Sequence, residues 1–287
     1  MAAIEDVSFL VRRGTVVGLV GPPGSGKTTT LRALLGLVEP TSGEALFCGH
    51  RYHELVDPSG VVGANFGGEG VPPWGTARSH LRSLAAKIGR PARVEPVLVD
   101  AGLGDVADLR IGRLSRGTRQ RLGVAGALLG EPATLVLDEP ADGLDDLGLR
   151  WLHAMVRNFA GQGGTVLVAS PVVGDVAPTA DEIVVIRDGR VVLQAAVDEL
   201  LAGAARTASV RIRTPHAGAL AAALAADGHA CLHLGAGLVR VHDMAVDELR
   251  GLASSLHVVI EELTPETPGL EETYLALIAS PRLAATM

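Results

Sequence analysis

Aromatic residues make up only 3% of this 287-residue chain, so its cores cannot rest on stacked rings. Cysteine is scarcer still. Cys48 and Cys231 stand far apart and make no disulfide or metal-binding pattern; they read as two reduced, buried or half-buried thiols, which fits a reducing compartment. No uninterrupted run of about 18 apolar residues occurs, so nothing reads as a membrane-spanning helix. The start, Met1-Ala2-Ala3-Ile4-Glu5-Asp6, lacks the basic-then-apolar pattern of a signal peptide. Positive charge is in deficit: 25 Lys and Arg against 32 Asp and Glu give a net charge of −7. With no basic run or interleaved aromatic patch, nucleic acid is excluded as the main partner.

What is plentiful is Val, Leu, Ile and Ala, within a hydrophobic fraction of 47%. This length allows one large domain, or a large and a small one. Nearly unbroken apolar runs at Thr15–Val20, Thr134–Asp138 and Thr165–Ser170 read as strands covered on both faces. Leu152, Met155, Val156 and Phe159 recur at helical spacing, and with Trp151 they read as packing residues. Glu182–Val192 reads as a hairpin turning at Asp188-Gly189. The Ala/Gly-rich stretch Leu201–Ala205 reads as a boundary, dividing the chain into domains at 1–203 and 208–287. Beyond it the pattern predicts a strand at Ser209–Arg213, a helix near 216–226 and strands near 230–234 and 238–242. A helix near 245–255, a strand near 257–263 and a last helix near 270–279 follow. The order β-α-β-β-α-β predicts a small α+β, ferredoxin-like sandwich.

The strongest motif is Gly21-Pro22-Pro23-Gly24-Ser25-Gly26-Lys27-Thr28, which fits G-x-x-x-x-G-K-[ST] between a strand and the helix-compatible stretch Thr28–Leu35, and with Thr29 it makes up the candidate nucleotide-binding loop. Such a loop turns its amides inward to cradle polyphosphate, aided by the positive end of the helix. Lys27 is placed to bridge the β- and γ-phosphates, and the Thr28 hydroxyl to hold Mg²⁺. The second motif is Leu135-Val136-Leu137-Asp138-Glu139-Pro140. Its carboxylates emerge at the C-terminal end of a buried strand, where open α/β sheets bind ligands. Asp138 is the candidate Mg²⁺ ligand through water, and Glu139 the base for water attacking a γ-phosphate. The third is Leu114-Ser115-Arg116-Gly117-Thr118-Arg119-Gln120-Arg121, in which Ser115 can cap a helix ended by Gly130 and Glu131-Pro132.

With these landmarks in order across residues 4–200, the chain resembles the nucleotide-binding subunits of ATP-binding cassette (ABC) transporters. Leu114–Asp145 is similar to subunits that work with ABC-2 type permeases, and Gly269–Leu275 resembles the C-terminal accessory domain of that subgroup. The resemblance implies an α/β P-loop cassette that binds ATP and Mg²⁺. It implies head-to-tail pairing with a second nucleotide-binding subunit, Ser115 and Gly117 meeting the γ-phosphate on the partner and Asp145 coupling the two sites. It also implies a cytoplasmic chain, peripheral on the inner face of the membrane through its permease.

Four departures from the family pattern bear on activity. Gly67 falls where the family usually carries a glutamine, with Asn65 or Glu69 as possible substitutes. Pro171 stands in place of the switch histidine. The chain starts at the family's second strand region, Ile4–Phe9, without the preceding strand and its adenine-stacking aromatic. Arg116 and Thr118 replace a glycine and a glutamine. His50 and His53 are too few for a metal site and read as surface residues. Two functions follow: a subunit that hydrolyses ATP to drive export, or a degenerate cassette that binds ATP, hydrolyses it poorly and regulates or scaffolds a transporter.

Overall fold

The computed structural model describes residues 3–67, 71–206, 209–227, 229, 231–242, 244 and 246–266. The chain divides into two compact units, the first ending at Val197 and the second beginning at Asp198.

In the first unit the central strand β1 (Val16–Val20) runs directly into the phosphate loop and α1 (Lys27–Leu34). Every residue of β1 is buried, as its unbroken apolar run predicts. A short helix α2 (Pro58–Val61), with Asp57 capping the Gly60 amide, leads into β2 (Val62–Asn65). A helical segment follows, with α3 (Ala77–Lys87), α4 (Val94–Asp100) and α5 (Arg116–Leu128) around Leu81, Leu98, Leu103, Leu122 and Leu129. The chain returns to the sheet through β3 (Thr134–Asp138), α6 (Asp146–Gly161) and β4 (Thr165–Ser170). The hairpin β5 (Glu182–Arg187) and β6 (Arg190–Ala196) closes the sheet. Its turn residues Asp188 and Gly189 have φ of 49° and 76°, the geometry of a two-residue primed turn. The strand order is β2-β3-β4-β1-β5-β6; all neighbours are parallel except β5 and β6. Trp151 packs as expected: its ring is half-buried against the helical core, its Nε1–H donates to the Asp100 carbonyl at 3.0 Å, and the Arg121 guanidinium lies 5.1 Å above it.

Three local expectations change here. Residues 4–9 form no strand. Val7 and Phe9 pack against the core, and the segment is tied to the β5–β6 hairpin by Glu5 N–H to Gly189 and by the Gln194 side chain to Leu10. Those isolated bonds leave no continuous ladder. Cys48 is exposed because Cys48-Gly49 is the tip of a tight turn between Phe47 and His50, with φ of 51° and 87°. Leu201–Ala205, read as a boundary, lies inside α7 (Val197–Arg206), since alanine is the strongest helix former and outweighs one glycine.

The second unit contains β7 (Ser209–Arg213), α8 (Ala217–Ala226), β8 (Cys231–Gly235), β9 (Leu238–His242), α9 (Val246–Ser255) and β10 (Glu262–Glu266). Its antiparallel sheet has the order β10-β7-β9-β8. Val210, Ile212, Val239 and Val241 pack against Leu220, Leu224 and Leu249 of its helices. The βαββαβ order and sheet are those of the predicted sandwich. The last strand starts at Glu262 rather than near 257, because His257 adopts a φ of 55° in the turn that ends α9. Pro265 is tolerated because β10 is an edge strand. The helix expected near 270–279 lies outside the described residues.

Candidate functional site

The phosphate loop is built around a lysine taken out of water. Gly24 and Gly26 adopt φ of 79° and 105°, which lets the loop reverse and start α1 at Lys27. A Cβ at Gly26 would also meet the Ala3 carbonyl and the Ile4 side chain at 2.9 and 2.8 Å. Lys27 is 4% exposed, and its Nζ donates to the carbonyls of Gly21 at 2.7 Å and Pro22 at 3.1 Å. Burial lowers its pKa below the ordinary value, while Glu139 and Asp138 pull it back up. Ser25 is buried with its hydroxyl unpartnered among the described residues; Pro22 and Thr29 are half-buried, and Pro23 is exposed.

β3 delivers the carboxylates. Asp138 is buried, and its Oδ1 has no hydrogen-bond partner among the described residues. Glu139 has a φ of 47°, a left-handed conformation that is unusual for glutamate. Three bonds hold it there: its N–H donates to Ala169 at 2.8 Å, and its carbonyl accepts from Asp142 N–H at 3.1 Å and Gln120 Nε2 at 3.1 Å. Thr28, Asp138 and Glu139 line one cavity of about 360 Å³, joined by Phe66, Gly67, Arg116, Arg119, Gln120 and Asp142. An orphaned buried carboxylate oxygen beside a threonine hydroxyl is the donor chemistry that a hydrated Mg²⁺ takes, so these residues fit that ion.

Ser115 and Gly117 are not among the lining residues. Ser115 caps α5, its Oγ accepting from Thr118 N–H at 3.1 Å. Gly117 lets α5 approach the next loop, since a Cβ there would lie 2.7 Å from the Gly143 carbonyl. Asp145 caps α6, accepting from Gly148 N–H at 2.7 Å. Arg116 makes an ion pair with Asp142, which lines the same cavity.

Neither Gly67 nor Pro171 brings a side-chain donor. Gly67 reaches the cavity with a φ of 85° and open space around it, but has no side chain. Asn65 turns toward α5, where its Oδ1 would lie 2.6 Å from a Cβ on Gly123; Glu69 lies outside the described residues. Pro171 follows β4 and offers no donor. His50 and His53 are exposed. Arg119, Gln120 and Asp142 belong to the site yet carry no signal of their own in the sequence; only their adjacency to the serine and carboxylate motifs points to them.

A family model described as "ABC transporter" matches residues 4–142. The chain is 34% identical over 207 residues to a Nod factor export ATP-binding protein of Burkholderia lata, covering 69% of this chain and 67% of that one. A lantibiotic transport ATP-binding protein of Streptococcus pyogenes is 30% identical over 200 residues, covering 68% and 85%. This chain is an ABC transporter ATP-binding subunit. The cassette is also similar to the solved ATP-binding subunit of an ABC transporter, at TM-score 0.63 and 26% identity over 70% of this chain and 86% of that one. A dimeric cassette bound to ADP and Pi in a post-hydrolysis state matches at TM-score 0.62 and 25% identity, covering 68% and 90%. Residues 208–271 of the chain, in the second unit, match a domain family of unknown function. Among the described residues no helix is long and apolar enough to cross a membrane.

Proposed function

We propose that the cassette binds Mg²⁺-ATP at the cavity between the phosphate loop and β3, and that it drives export through a separate ABC-2 type permease. The carrying observation is the meeting of Thr28, Asp138 and Glu139 on one cavity, with the two carboxylates acting electrostatically on the buried Lys27. Lys27 exchanges its two loop carbonyls for the β- and γ-phosphates. Thr28 and Asp138 would hold Mg²⁺, which would supply positive charge against that of the transferring phosphoryl group. Glu139, fixed by three backbone bonds, accepts the proton of the attacking water.

The cassette pairs head to tail with a second nucleotide-binding subunit, and Ser115 and Gly117 close over the partner's nucleotide. Their place outside the chain's own cavity lining supports that reading. Asp145 couples the two sites. The cassette works on the inner face of the membrane, held there by the permease. Residues 1–203 act as the nucleotide-binding domain, and 208–287 as the accessory domain of the ABC-2 subgroup.

A second reading, a cassette that binds ATP and turns it over slowly as a regulatory subunit, is favoured by one observation. The two positions where relatives carry polar groups hold Gly67 and Pro171, and neither donates a side-chain hydrogen bond. Light scattering of Glu139→Gln with Mg²⁺-ATP separates the readings. Export with turnover predicts a stable ATP-bound dimer for this variant alone. The slow-turnover reading predicts a stable dimer for the wild type too. Monomers in both cases contradict the trans role of Ser115 and Gly117 in a homodimer.

A further inference from the structure

Two guanidinium groups line the nucleotide cavity, and they are not equivalent. Arg116 is largely exposed and ion-paired with Asp142. Arg119 is half-buried; among the described residues its Nε, shielded from solvent, has no hydrogen-bond partner and its side chain makes no ion pair. A buried donor without an acceptor is costly, and an acceptor entering the site relieves that cost. The cavity wall otherwise carries the carboxylates Asp138, Glu139 and Asp142. With Arg116 engaged by Asp142, Arg119 is the lining cation left to meet an incoming anion.

Its position is fixed. Arg119 lies in the first turns of α5, whose start is set by the Ser115 cap, and the next residue, Gln120, donates to the carbonyl of Glu139. Arg119 therefore shares a wall with the proposed base and with Gly67, which contributes no side chain. Pro171 offers no donor either.

Resting on the proposed ATP site, we infer that Arg119 binds the γ-phosphate of the nucleotide held by its own subunit, supplying the donor that Gly67 and Pro171 lack. A planar guanidinium suits this task, since it can give two parallel hydrogen bonds to phosphate oxygens. The contact is made to ATP and not to ADP, so it separates the two nucleotides.

The test measures the affinities of the full chain for Mg²⁺-ADP and for a non-hydrolysable Mg²⁺-ATP analogue, by titration calorimetry. Wild type, Arg119→Gln, Arg119→Lys and Lys27→Ala are compared, with folding checked by thermal unfolding. Arg119→Gln is expected to leave ADP affinity unchanged and to cut the preference for the ATP analogue about tenfold or more, the usual weight of a charge-assisted hydrogen bond. Arg119→Lys, which keeps the charge and loses the fork, is expected to recover part of that preference, and it carries the test if the Gln variant does not fold. An unchanged preference in the folded variants overturns the role of Arg119 while leaving the ATP site standing. Failure of the wild type to bind either nucleotide, or affinity unaffected by Lys27→Ala, overturns both.

Discussion

Lys27 sits almost wholly out of water with two backbone carbonyls as partners, and the triphosphate has to outbid them. Only the protonated amine can do so. ATP affinity is therefore expected to fall as pH rises through the pKa of Lys27, which burial sets below its ordinary value. Glu139 opposes that shift, so Glu139→Gln lowers the pKa further. The alkaline limb of ATP affinity in this variant should move to lower pH than in the wild type. A limb that stays in place or moves upward contradicts the electrostatic coupling of Lys27 to Glu139. A second residue-scale prediction concerns Gly67 and Pro171. The resemblance to relatives suggests restoring glutamine and histidine, but at a φ of 85° a glutamine is strained by about 1–2 kcal/mol. Asparagine tolerates that conformation better. Gly67→Asn with Pro171→His is expected to raise ATP turnover about tenfold or more, and Gly67→Gln with Pro171→His to gain less. Phosphate release assays on folded variants check this; no gain in either pair contradicts the placement of these residues at the reacting end.

At the scale of elements, α5 ties the helical segment to the site. It caps on Ser115, packs on the loop at Gly143 through Gly117, and lies so close to β2 that a Cβ at Gly63 would come within 2.0 Å of the Ala127 carbonyl. Gly63→Ala is expected to cost about 1–3 kcal/mol by overpacking. Gly161→Ala, with open space around it at the end of α6, is expected to be neutral or mildly stabilising. Ser115→Ala removes the cap at a cost of about 1 kcal/mol, a fall of about 2–4 °C in Tm. Thermal unfolding of the three variants reads this order; a neutral Gly63→Ala contradicts the tight β2–α5 contact. The buried strands were legible from sequence because a run of Val and Leu has one stable place, inside a sheet covered on both faces. Ends were less legible. Gly130 and Glu131-Pro132 read as the helix stop, and α5 does end at Leu128, but the left-handed residue is Glu131 at φ 52°, while Gly130 sits where a Cβ would strike the Ser59 carbonyl at 2.1 Å. The glycine there serves packing against a residue far away in sequence, which no local pattern reveals.

Across the whole molecule, two motifs distant in sequence converge because β1 and β3 both flank β4 in a parallel sheet, so their C-terminal ends open on the same edge. That convergence was legible from the motifs. The contributions of Arg119, Gln120 and Asp142 were not, since each depends on how α5 and the loop after β3 fold against one another. We propose that this edge is an ATP site in which Glu139 carries the hydrolytic step. Its most direct test is a paired measurement on the purified chain: Mg²⁺-ATP affinity and steady-state phosphate release for the wild type and Glu139→Gln. The variant is expected to retain ATP affinity with phosphate release lowered about 10²-fold or more. Phosphate release that is unchanged in a Glu139→Gln chain still binding ATP contradicts it.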